Sequence, residues 1–108
     1  MIPSKTIEEL ILKHSTLESD LSSGNLDNKS FAEKSKEYSD VNEIISNAKK
    51  YLAFENEKQE LEKILEDNTS DKDLKNMAEL ELADLKYQHE INEKKLKLFL
   101  LPKDEADK

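Results

Sequence analysis

The chain has 108 residues, 25 of them acidic against 17 basic, and a net charge of −8; all 17 basic residues are lysine, there is no cysteine, and there is one glycine. That length suits one domain with a modest core. The missing cysteines exclude disulfides and thiolate metal sites and fit a reducing, cytoplasmic setting, no apolar run approaches the ~20 residues of a membrane span, and an acidic chain without arginine argues against free RNA or DNA as principal ligand.

Ala, Glu, Lys and Leu supply 55 of the 108 residues, a share typical of long helices. Residues that favour sheets are scarce, so the fold is expected to be all-α. The first helix is expected to start near Ser4. Ser4 or Thr6 could cap it, and Thr6 with Glu9 forms a capping-box pattern. Ile7, Leu10, Ile11, Leu17 and Leu21 recur at helical spacing, with His14 in the gap. Ser22, Ser23, Gly24 and Asn25 end it, with Gly24 suited to a C-terminal cap.

The second helix should start at Asp27 or Asn28, with Leu26 and Phe31 placed as a hydrophobic staple, and run to about Glu66. Its stripe is Phe31, Ser35, Tyr38, Val41, Ile44, Ile45, Ala48, Tyr51, Leu52, Leu61, Ile64 and Leu65. Glu55 to Glu60 offers nothing to bury. Ser39 could cap a new helix with Glu43 in its first turn, and such a break near Ser39 and Asp40 would make four helices of three.

Asp67, Asn68, Thr69 and Ser70 form the second turn. Ser70 or Thr69 caps the third helix, with Asp71 and Asp73 in its first turn. This helix carries two apolar rows: Leu74, Ala78, Leu82, Leu85, Leu96 and Phe99, and Met77, Leu80, Tyr87, Ile91 and Leu98. Two rows predict neighbours on two sides. Glu90–Lys94 and Glu93–Lys97 are favourable i,i+4 pairs, and Pro102 stops the helix at about Leu101. Short turns make sequential helices antiparallel. The expected fold is a long antiparallel hairpin with a shorter N-terminal helix along one end, its far end thinly covered and more mobile.

No residue pattern amounts to a catalytic, cofactor or metal site. His14 on an apolar stripe reads as a rim histidine. His89 with Glu93 at i+4 is a metal-ligating pair, but structural zinc takes four ligands; only a bound metal or a deep pocket there would revive an enzyme reading. The carboxylate pairs Glu8/Glu9, Glu60/Glu62, Asp71/Asp73 and Glu79/Glu81 lack the cleft that separates two pKa values for acid–base work. A single glycine provides no phosphate-cradling loop. Lys29, Lys34 and Lys36 form a small basic cluster on helix surface that could meet rRNA or an acidic protein face. Tyr38, Tyr51 and Tyr87 read as core or rim residues.

Five segments in order carry a resemblance: Ile11-Leu12-Lys13-His14; Ser35-Lys36-Glu37-Tyr38-Ser39-Asp40-Val41; Leu65-Glu66-Asp67; Met77-Ala78-Glu79-Leu80-Glu81-Leu82; and Lys97-Leu98-Phe99-Leu100-Leu101-Pro102-Lys103-Asp104. Together they resemble the N-terminal domain of bacterial class I peptide chain release factors of the type that reads UAA and UAG, with the second and last segments the most specific. The resemblance implies that residues 1–101 are a helical N-terminal domain and 102–108 the start of a linker to codon-reading and catalytic domains. It implies a ribosome-associating part of a termination factor whose Gly-Gly-Gln loop, which promotes peptidyl-tRNA hydrolysis, lies outside these residues. It further implies partners at the stalk base of the large subunit, with a ribosomal protein favoured over rRNA by the acidic surface, and the GTPase release factor. A stand-alone helical-hairpin chaperone or coiled-coil adaptor of prefoldin type is the alternative that the residues themselves leave open.

Overall fold

A computed structural model describes residues 1–101. Three helices follow in order: α1, Ser4–Ser22; α2, Asn28–Glu66; and α3, Lys72–Leu100. No strand occurs among the described residues, as the composition predicts. The expected stop at Pro102 and the linker at 102–108 lie outside them, but α3 ends at Leu100 with Leu101 extended after it.

Helix α1 starts at the expected residue for a different reason. Pro3 takes the cap position with φ −59° and ψ 138°, and its carbonyl accepts from the amides of Thr6 (3.1 Å) and Ile7 (3.4 Å). No side chain caps this end, so neither Ser4 nor Thr6 acts as the predicted cap. The proline ring fixes an extended entry and leaves Ser4 already helical. At the other end Ser23 caps the helix and Gly24 follows with φ 74°, a backbone conformation that costs glycine little.

Helix α2 is unbroken over 39 residues, so the bundle has three helices and no break occurs near Ser39. Tyr38 and Val41, on either side of that position, both pack in the α1 contact; Ser39 and Asp40 simply face water. Asp27 caps α2, its carboxylate accepting from the Ser30 amide at 2.7 Å, while Phe31 stays 50% exposed and is not held under a staple. In the second turn Asp67 accepts from the amide and hydroxyl of Thr69 at 2.8 and 2.6 Å. Asp71, rather than Ser70 or Thr69, caps α3 through the Leu74 amide at 2.7 Å.

Cross-helix contacts set an antiparallel register. Along α1 and α2, Asp20 meets Lys34, Glu18 meets Tyr38 and His14 meets Asn42. Along α2 and α3, Asn47 meets Asn92, while Tyr51 and Phe54 meet His89. Helix α2 thus lies between its two neighbours through its middle, as far as Tyr51, whose hydroxyl accepts from the Ile2 amide at 3.0 Å, and against α3 alone beyond it. The core sits where all three converge: Ile2, Ile7, Leu10, Leu17, Val41, Ile44, Ala48, Tyr51 and Leu96. Ile7, Ala48 and Leu96 have no exposure. Of the two predicted rows on α3, the first supplies the α2 contact. The second does not find a second neighbour: Met77, Leu80, Tyr87 and Leu98 are 58%, 73%, 61% and 68% exposed.

Candidate functional site

Each sequence-predicted candidate can be followed to its place in the fold. His14 is half-buried on α1 and stacks on Tyr38 of α2, ring centroids 4.9 Å apart. Its Nε2 lies 2.9 Å from Asn42 Oδ1. Tyr38 donates its hydroxyl to Glu18 at 3.2 Å, and burial, helped by that carboxylate, raises its pKa above the usual phenol value. These groups clamp α1 to α2 and leave no nucleophile beside the imidazole, in accord with a rim histidine.

The basic cluster is divided by the same interface. Lys34 Nζ lies 2.8 Å from Asp20, and that hydrogen bond raises the ammonium pKa above its ordinary value. Lys29 and Lys36 remain exposed. The eight carboxylates of the predicted pairs are exposed except Glu62, which is half-buried, so the pairs lie on solvated helix faces.

His89 is half-buried on the α2 face of α3. Its ring stacks on Phe54 at 3.7 Å and on Tyr51 at 4.7 Å, with interplanar angles of 14° and 20°. Its Nδ1 is buried without a hydrogen-bond partner. It adjoins a cleft of about 370 Å³ between α2 and α3, walled by Lys50, Glu57, Glu81 and Asp84. Those carboxylates are exposed to water. Glu93, the residue whose spacing from His89 suits a metal co-ligand, is committed elsewhere. It holds the Met1 ammonium at 3.1 Å and Lys97 at 3.0 Å. Lys97, and then the amino terminus, keep its carboxyl below the usual range. Among the described residues no three His, Asp or Glu side chains are placed to hold a metal ion.

Two contributors escaped the sequence reading. Phe54 is 8% exposed, and its spacing of three from Tyr51 was the signal that could have placed it on the stripe. Asn92 is buried at 6% exposure and accepts from Asn47 Nδ2 at 2.8 Å. No spacing rule announces that pair, because the two asparagines are 45 residues apart.

What the described residues present is therefore surface: an acidic helical rod with one solvent-facing apolar row. The PCRF domain model matches residues 10–108, and the chain belongs to that family. Over its whole length it is 68% identical to a protein of Pelagibacter ubique named "Peptide chain release factor 1", covering 30% of that relative. Proteins of the same name from Orientia tsutsugamushi and Wolbachia pipientis are 38% and 41% identical, each over 94% of this chain and 28% of their own length. The chain thus spans under a third of these curated relatives. No solved structure matches it. The matches bear out the resemblance to an N-terminal release-factor domain. No helix among the described residues is long and apolar enough to cross a membrane.

Proposed function

We propose that this chain is the ribosome-docking N-terminal domain of a cytoplasmic termination factor that reads UAA and UAG and promotes peptidyl-tRNA hydrolysis. The 68% identity to a peptide chain release factor 1, unbroken over all 108 residues, carries the proposal. Residues 1–101 form the domain and 102–108 begin the linker. Codon reading and hydrolysis belong to the part of the relatives that extends beyond this match; a Gly-Gly-Gln loop cannot be drawn from a chain whose one glycine is Gly24.

With a net charge of −8, the domain suits a basic protein surface better than bare rRNA. It docks on a ribosomal protein near the stalk base of the large subunit, within reach of the GTPase release factor. The full-length identity favours this reading over a stand-alone chaperone or adaptor. A chimera tests it. This chain replaces the corresponding segment of the Pelagibacter ubique factor, and peptide release is measured on ribosomes stalled at UAA, UAG and UGA. Release at UAA and UAG, well above that of a factor with the segment deleted and absent at UGA, is expected. Release no better than that of the deletion overturns the proposal, as does release by the 108-residue chain alone.

A further inference from the structure

The apolar row on the back of α3 has an internal symmetry. Its members are Met77, Leu80, Asp84 at the rim of the α2–α3 cleft, Tyr87, Ile91, Lys94, Leu98 and, just past the helix end, Leu101. Their spacings alternate between three and four, the a and d positions of a heptad. All are exposed except Ile91, which is half-buried. The core cluster draws on other α3 residues, Leu96 and Phe99.

Turned end over end about residue 89, this row matches itself. Met77 falls opposite Leu101, Leu80 opposite Leu98, and Tyr87 opposite Ile91. Asp84 and Lys94, the two charged members, fall opposite each other. Antiparallel packing sets a positions against d positions, and each of these pairs joins one of each. Other arrangements are penalised. A one-heptad slide sets Asp84 against Leu101 and Lys94 against Ile91, stranding both charges among leucine and isoleucine. A parallel pair in register sets aspartate against aspartate and lysine against lysine. On one flank Glu81, exposed at the rim of the α2–α3 cleft, lies opposite the partner's Lys95. On the other, Glu90 approaches the partner's Glu90 near the axis, a like-charge contact that keeps the association modest.

We propose that a second copy of this chain docks antiparallel on α3, with its two-fold axis beside residue 89, each Asp84 pairing with the partner's Lys94. Such an isologous contact is the usual form of a homodimer. A polar pair within an apolar seam fixes register at some cost in stability, so the dimer forms reversibly at high concentration.

Sedimentation equilibrium of the 108-residue chain, from about 10 μM to about 1 mM, reads this out. A reversible monomer–dimer equilibrium is expected. Asp84→Lys and Lys94→Asp should each weaken it by about tenfold or more, because like charges then face each other. The double exchange should restore it, and Glu90→Gln should strengthen it. Both seam charges are exposed, so circular dichroism of each variant should stay helical. The chain's lack of cysteine permits a check on orientation. A mixture of Leu80→Cys and Leu98→Cys chains should form disulfide-linked dimers on oxidation, and neither variant should do so well alone. A monomer at every concentration overturns the proposal and leaves the row to another partner, such as the further segments of the longer relatives. A dimer indifferent to both charge reversals, or Leu80→Cys chains that link readily to themselves, overturns it equally.

Discussion

The two ends of this hairpin use the same helices and fare differently. Where α1 joins, Val41 and Ala48 of α2 are 2% and 0% exposed and Leu96 of α3 is fully buried. Toward the second turn Leu61, Ile64 and Leu65 are half-buried, Leu74 is 42% exposed, and Ala78 is the buried residue nearest the turn. Helix propensity does not change along α2. What changes is the number of neighbours, and in short helices tertiary burial supplies most of the stability. A third helix one-half as long thus decides which end of the hairpin is firm.

Core truncations give the largest contrast. Leu96→Ala is expected to cost about 3 kcal/mol, and Leu61→Ala, half-buried where α2 faces α3 alone, about 1 kcal/mol. Urea denaturation followed by circular dichroism measures both, and equal costs would break the comparison. Removing the α3 cap with Asp71→Ala should cost about 1 kcal/mol. Its effect should stay local: amides of residues 60–80 should exchange faster while those of 41–51 keep their protection.

His89→Phe works in the opposite direction. A phenyl ring keeps the stack on Phe54 and Tyr51 and removes the buried, unpartnered Nδ1. A gain of up to about 1 kcal/mol is expected in the same denaturation assay. A loss would show that the nitrogen has a partner that matters.

The smallest effect is on pH dependence. Glu93, Asp27 and Asp67 all have carboxyls held below their ordinary values of 4.5 and 3.8 by hydrogen bonds formed in the folded chain. A depressed pKa contributes stability that is present above the unfolded value and lost as pH falls through the folded one. The chain should therefore lose a little stability between about pH 5 and the folded values below. Glu93→Gln should flatten that slope, since the ties to Lys97 and the Met1 ammonium are then gone. An unchanged slope would mean that these ties do not persist in solution.

The helices were legible because 3.6-residue periodicity is a local property, and α2 and α3 begin and end within a few residues of the expected positions. The caps were less so. Asp67, Asn68, Thr69, Ser70 and Asp71 are all able to cap, and only the path of the turn assigns Asp67 to Thr69 and Asp71 to Leu74. Pro3 replaced two plausible side-chain caps because backbone geometry decided the start of α1. The break at Ser39 failed for the converse reason: a local capping signal lost to burial of Tyr38 and Val41 on either side. The surroundings of His89 were beyond sequence reading, since its stack depends on the register between helices. Glu93 shows the same thing. One turn from His89 in sequence, it is claimed by the chain's first residue. The second row on α3 is apolar in sequence, but that it faces solvent depends on where α1 comes to rest.

Helix α2 runs 39 residues without a proline, a glycine or a break, in a molecule 61 Å in its longest extent. A beam of this kind has no elbow in which to dissipate a push. A load on its thinly supported tip is therefore carried back along the shaft to the packed end beside α1, where Val41, Ile44 and Ala48 hold it.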